Sequence, residues 1–134
     1  MGLSGPTIFL DSCIAIYLVE EHKDFATQIE SLIESTDGAE LIISDLSVME
    51  CLVGPLRSGN TVIEEKYKEW FDNILVVPIP GVVFRQAARL RADHPSLKTP
   101  DALHVTTAVH YSCDELWTND DRLSKVANIV RKIV

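Results

Sequence analysis

The chain has 134 residues, 46% of them hydrophobic and 24% charged, and carries a formal net charge of −8. That length suits a single domain over 1–134 and is short for two, and the composition excludes a disordered or fibrous chain. The negative charge argues against the broad basic surface of an ordinary nucleic-acid binder, although carboxylates gathered around a metal add negative charge by design and an acidic protein suits a basic partner.

Taken in order, Thr7-Ile8-Phe9-Leu10 is a short apolar run that favours a strand, and Asp11-Ser12 follows as an N-cap pair for a helix over 13–19. The start of the chain, Met1-Gly2 with Pro6 beyond, has neither the basic region of a signal peptide nor the Ser or Thr of a myristoylation signal. Apolar Phe25, Ala26, Ile29, Leu32 and Ile33 predict a helix over 24–35 that Asp37-Gly38 closes. Residues 41–44 read as a buried strand. Asp45 and Ser47 are both N-cap candidates for a helix carrying Val48, Met49, Glu50, Leu52 and Val53, which Gly54-Pro55 should interrupt.

A helix over 62–73 with Tyr67, Trp70 and Phe71 leads into a strand over 74–77, and 82–92 is helical with Arg85, Arg89 and Arg91. In Thr99-Pro100-Asp101, Thr is placed to cap, Pro to take the first helical position and Asp to meet the positive end of the helix dipole. That helix runs to about Tyr111. Residues 115–117 form a short strand, Thr118-Asn119-Asp120-Asp121 its loop, and 129–133 the last strand. Strands alternating with helices predict an α/β fold, a three-layer α/β/α sandwich around a central, mainly parallel sheet.

Other classes are excluded residue by residue. The apolar run over 74–84 contains Pro78, Pro80 and Gly81 and falls well short of the ~20 residues of a membrane helix, so a cytoplasmic protein without membrane contact is expected. Cys13, Cys51 and Cys113 are odd in number and set in apolar segments, as buried reduced thiols are. An aspartyl-phosphate phosphatase needs a second Asp two places after the first, where this chain has Cys13, and a receiver domain needs paired acids after its first strand and a Lys after its fifth; both are missing.

The chemistry resides in four acids. Ligands of open α/β sheets bind beyond the carboxyl ends of the strands, where Asp11 and Asp120 fall, and Glu50 and Asp101 lie near helix starts facing the same edge. Singly, each has a plain structural reading: Asp11 and Asp101 stabilise helix starts, Glu50 is a solvated helix residue, and Asp120 and Asp121 are turn residues. Together at one edge they would repel unless cations neutralised them, and hard oxygen donors favour Mg²⁺ or Mn²⁺. His104, one turn beyond Asp101, reads as a packed or hydrogen-bonded helix histidine, and Arg85, Arg89, Arg91 and Lys98 as either a phosphate-binding patch or a solvated face. Helical spacing gives Tyr67, Trp70 and Phe71 to the core, with partner docking as the alternative.

These motifs resemble the PIN-domain family, in particular the short VapC-type toxin nucleases of toxin–antitoxin modules, over essentially the whole chain. Thr7-Ile8-Phe9-Leu10-Asp11-Ser12 is similar to the family's opening strand and first acid, Ser44-Asp45-Leu46-Ser47-Val48-Met49-Glu50 with Gly54 to its second motif, Thr99-Pro100-Asp101-Ala102-Leu103-His104 to its third, and Leu116-Trp117-Thr118-Asn119-Asp120 to its fourth. The resemblance implies a metal-dependent endoribonuclease. Asp11, Glu50 and Asp101 would bind or position Mg²⁺ or Mn²⁺, Asp120 would complete the cluster, and Ser12, Thr118 and Asn119 would orient water or phosphate. It further implies an RNA substrate, a cognate antitoxin and a homodimer; a solitary nuclease for RNA processing and a catalytically silent PIN-like binding module are the alternatives.

Overall fold

The computed structural model describes residues 5–134, so the Met1-Gly2 reading lies outside the described residues. The elements are β1 (Thr7–Leu10), α1 (Ser12–Val19), α2 (Ala26–Ser35), β2 (Glu40–Ser44), α3 (Asp45–Ser58), α4 (Thr61–Asp72), β3 (Leu75–Val77), α5 (Gly81–Asp93), α6 (Thr99–His110), β4 (Glu115–Thr118), a 3-10 turn (Leu123–Lys125) and β5 (Val130–Lys132). The five strands form one sheet in the order β3-β2-β1-β4-β5, and every neighbouring pair is parallel. No helix among the described residues is long and apolar enough to cross a membrane.

The side-chain alternation of β1 divides the core into the two faces of a sandwich. Ile8 and Leu10 join Ile14 of α1, Ile29 of α2, Ile43 and Trp117, with Trp70 and Phe71 of α4 packed alongside. Phe9 joins Ile42, Val77, Ala87 of α5, and Ala102, Leu103 and Val105 of α6. Behind the first face Ala15, Val19, Cys51 and Tyr67 tie α1, α3 and α4 together. Tyr67 is fully buried, so it belongs to the core and is not part of a docking surface.

The sheet order also determines where a site can form. From β1 the chain builds outward through β2 and β3, then returns to place β4 on the other side of β1, which creates a topological switch point between β1 and β4. In that pair Leu10 stands opposite Trp117, so Asp11 and Thr118, the residues after each, emerge side by side at the carboxyl edge.

Three sequence expectations require correction. First, α3 continues through Pro55 to Ser58 and ends at Gly59 with φ +70°. Proline removes one backbone donor, and its ring crowds both the carbonyl of Cys51 four residues back and the Cβ of the residue before it; Gly54 has no Cβ, so the second clash is absent and α3 continues past the lost hydrogen bond. Second, α6 begins at Thr99 with Lys98 at the N-cap, and no side chain caps it. The Thr99 hydroxyl accepts instead from Arg91 Nη1 at 3.0 Å. Third, Asp11 occupies the N-cap of α1 but its carboxylate makes no capping bond; a stronger partner holds it.

Candidate functional site

That partner is Thr118. Its Oγ1 donates to Asp11 Oδ2 at 2.7 Å and accepts from the Asp120 backbone N–H at 3.1 Å, in a fully buried position. Asp11 is 9% exposed, a low figure for an acid. Its own N–H bonds to the Trp117 carbonyl, so β1 and β4 fix both backbone and side chain.

Glu50 reaches the same place from the sixth residue of α3. Its Oε1 accepts from Ser12 Oγ at 2.6 Å and lies 2.7 Å from His104 Nε2. Ser12 Oγ also stands 3.3 Å from Ser47 Oγ and 3.4 Å from His104 Nε2, and the imidazole is 3.8 Å from Asp11 Oδ1. Burial works to raise the Glu50 carboxyl, but the hydrogen bonds from His104 and then Ser12 outweigh it, and the carboxyl lies below its ordinary value.

Asp101 enters from the first turn of α6. Burial and then the charge of Asp11 push its carboxyl above the ordinary range, with Asp120 adding to the effect and Arg122 opposing it. Asp11, Asp101 and Asp120 therefore share one electrostatic neighbourhood, and Glu50 joins Asp11 through His104. Asp120 is held by Arg122, whose Nε donates to Oδ1 at 3.1 Å and whose Nη2 donates to Oδ2 at 2.9 Å, and this lowers the Asp120 carboxyl. As the side chains stand, no group of three or more His, Cys, Asp and Glu among the described residues is arranged to hold an ion.

The remaining candidates have defined partners. Asn119 donates to Tyr17 OH at 2.8 Å and accepts from Cys13 Sγ at 3.3 Å. Asp121 is an exposed turn residue whose carbonyl accepts from Ser124 Oγ. In the arginine patch, Arg89 is paired with Asp93, while Arg91 donates to the Leu97 carbonyl and Thr99 hydroxyl and so fastens the loop before α6. The sequence did not single out Arg122, although it lies only two residues beyond Asp120. With His94, Ser96, Asp101 and Lys125 it lines a cleft of 260 Å³ beside the acids.

Comparison with known proteins adds an independent line. A comparison with curated proteins finds no match. Among solved structures, a toxin–antitoxin complex from Klebsiella pneumoniae superposes with a TM-score of 0.78 at 20% identity, covering 95% of this chain and 98% of that one. VapBC2 from Rickettsia felis, bound to a DNA fragment from its promoter, gives 0.77 at 17% identity with 93% and 97% coverage. VapC20 of Mycobacterium tuberculosis, a sarcin-ricin loop cleaving toxin, gives 0.73 at 14% identity with 90% and 95% coverage. At such identities the likeness is one of fold. The PIN domain profile, however, matches residues 8–129, nearly the whole chain and all four acids, and the chain therefore belongs to the PIN-domain family.

Proposed function

We propose that the protein is a metal-dependent endoribonuclease, the toxin of a toxin–antitoxin pair, which hydrolyses RNA phosphodiester bonds at the Asp11, Glu50, Asp101 and Asp120 edge. The observation that carries this reading is the gathering of carboxylates at the sheet edge: buried Asp11, held by Thr118, lies 3.8 Å from the same His104 nitrogen that stands 2.7 Å from Glu50. Burial and the charge of Asp11 raise Asp101 in the first turn of α6, and a hard divalent cation relieves such repulsion while accepting oxygen donors. The donor set suits Mg²⁺ or Mn²⁺.

When bound, such an ion supplies Lewis acidity toward water and toward the phosphate oxygens. The chain's own residues do the rest. Thr118 holds Asp11 by Oδ2, and Ser12 holds Glu50 by Oε1. Lys125, lining the cleft beside Asp101 together with Arg122, offers positive charge for a phosphodiester next to the acids, against the net charge of −8. The fold shared with VapBC2 and the Klebsiella complex supports an antitoxin as partner; we extend the reading to a homodimer acting in the cytoplasm.

One observation favours the alternative of a PIN-like module that binds RNA without cutting it: Arg122 holds both oxygens of Asp120. A single assay separates the two. Purified protein is incubated with pooled tRNA and ribosomal RNA in Mg²⁺, Mn²⁺ or EDTA, alongside Asp11→Asn and Asp101→Asn, and cleaved ends are mapped. Metal-dependent cuts lost in both variants establish the nuclease, and equal inertness of all three proteins with RNA still bound establishes the silent module.

A further inference from the structure

His104 stands at the centre of the site, yet the four-acid reading gives it no work. It is 1% exposed in a helix buried from Ala102 through Ala108, with its ring against Phe9. Nε2 lies 2.7 Å from Glu50 Oε1, whereas Nδ1 is buried and has no hydrogen-bond partner among the described residues.

The orphaned Nδ1 determines where the proton sits. A buried N–H with nothing to receive it costs the full desolvation of a donor, whereas a bare ring nitrogen leaves only a lone pair unfilled. A proton on Nδ1 would also leave Nε2 with its lone pair facing the Glu50 carboxylate, two acceptors 2.7 Å apart. Both arguments place the ring proton on Nε2, donating to Oε1. Ser12 Oγ donates to the same oxygen at 2.6 Å. Oε1 is thus held from two sides, and Oε2 accepts no hydrogen bond among the described residues.

Resting on the reading of Glu50 as an ion-facing carboxylate, we propose that His104 is a positioning residue, which by donating from Nε2 to Oε1 turns Glu50 so that Oε2 alone is presented to a divalent ion. The rigidity of α6 makes this effective. His104 and Asp101 are borne on the same helix, so whatever sets Asp101 at the edge sets the Glu50 clamp with it. Hydrogen-bonded partners of ligating carboxylates commonly govern affinity in this way.

The test uses metal-free and Mn²⁺-loaded full-length protein. Ring ¹⁵N spectra of the metal-free wild type should show His104 protonated at Nε2 and bare at Nδ1; protonation at Nδ1 overturns the inference without any substitution being needed. Mn²⁺ binding is then followed by electron paramagnetic resonance in wild type, Asp101→Asn, His104→Leu and His104→Gln. Leucine removes the donor and should weaken binding roughly 10–100-fold, while glutamine, whose amide nitrogen reaches the Nε2 position, should bind close to wild type. A wild type that takes up no Mn²⁺ refutes the ligand-site reading and this inference with it. If wild type binds, Asp101→Asn does not and His104→Leu binds as wild type does, the inference alone fails.

Discussion

One hydroxyl, Thr118 Oγ1, bridges the Asp11 carboxylate at 2.7 Å and the Asp120 backbone N–H at 3.1 Å. The parallel register that sets Leu10 opposite Trp117 makes this contact inevitable for the two residues that follow, so the sheet itself aims the first acid. Thr118→Val keeps the shape and removes both bonds, leaving a buried carboxylate oxygen and an N–H without partners. The expected loss of stability is about 1–3 kcal/mol, read from the urea midpoint, together with weaker Mn²⁺ uptake. Thr118→Ser, which keeps the hydroxyl, should retain most of both. A valine variant indistinguishable from wild type in both measurements would show that Asp11 needs no such support.

Asp101→Asn should separate stability from function. Burial and the Asp11 charge raise the Asp101 carboxyl, so the folded state holds that proton more tightly than the unfolded state. The stabilising contribution is therefore full below the ordinary carboxylate value and is lost as pH rises through the raised one. At neutral pH the charged group is a burden on the metal-free fold. The amide removes that burden, and we expect the metal-free melting temperature to rise by a few degrees while Mn²⁺ no longer stabilises the protein. A variant that melts lower than wild type without metal would contradict the electrostatic account.

The strands and helices were legible because run length and hydrophobic period together separate them: Ile8, Phe9 and Leu10 form a short run apolar on both faces, as a central parallel strand must be, and Phe25, Ala26, Ile29 and Ile33 recur at helical spacing. Asp11, Asp101 and Asp120 were placed toward one edge because each follows a strand or opens a helix, and Glu50 because it lies one turn further into α3. Partners across the chain were not legible. His104 meets Glu50 over 54 positions, and Thr118 meets Asp11 over 107; no local pattern encodes such pairs. Local capping rules placed Asp11 at the N-cap it occupies but not its side chain, which bonds to Thr118, and they misplaced Thr99, whose hydroxyl accepts from Arg91. A tertiary donor outcompetes a backbone cap when the helix start lies at a crowded edge.

The thiols make the fold sensitive to alkali. Burial, with the charge of Asp11, pushes Cys13 up to about 12; burial, with Glu50, does the same for Cys51; and burial with Asp114 takes Cys113 to about 11. All three are free. Since the unfolded chain ionises from 9.0 while the folded chain keeps its protons, stability is full below that value and falls as pH rises through it. Buried Cys51 and Cys113 should each contribute a slope on the order of 1.4 kcal/mol per pH unit. Urea unfolding at about pH 8 and about pH 10 checks this, and Cys51→Ala with Cys113→Ala should flatten the difference. At the lower pH, disulfide-exchange reagents should label the two buried thiols only as fast as the protein opens.

Gly54 and Pro55 should behave as a coupled pair. A Cβ added at Gly54 meets nothing within 4 Å outside its own chain neighbours, and in an ordinary helix interior Ala is favoured over Gly by about 1 kcal/mol. The following proline reverses that gain, because its ring crowds the Cβ of the residue before it when that residue is helical. Gly54→Ala alone should therefore bring no gain or a loss, whereas the same substitution in a Pro55→Ala background should stabilise by about 1 kcal/mol. A double-mutant cycle by chemical denaturation measures the difference directly. An equal gain in both backgrounds would mean that α3 passes through Pro55 for some reason other than the missing Cβ, and the continuity of the helix that carries Glu50 would then need another cause.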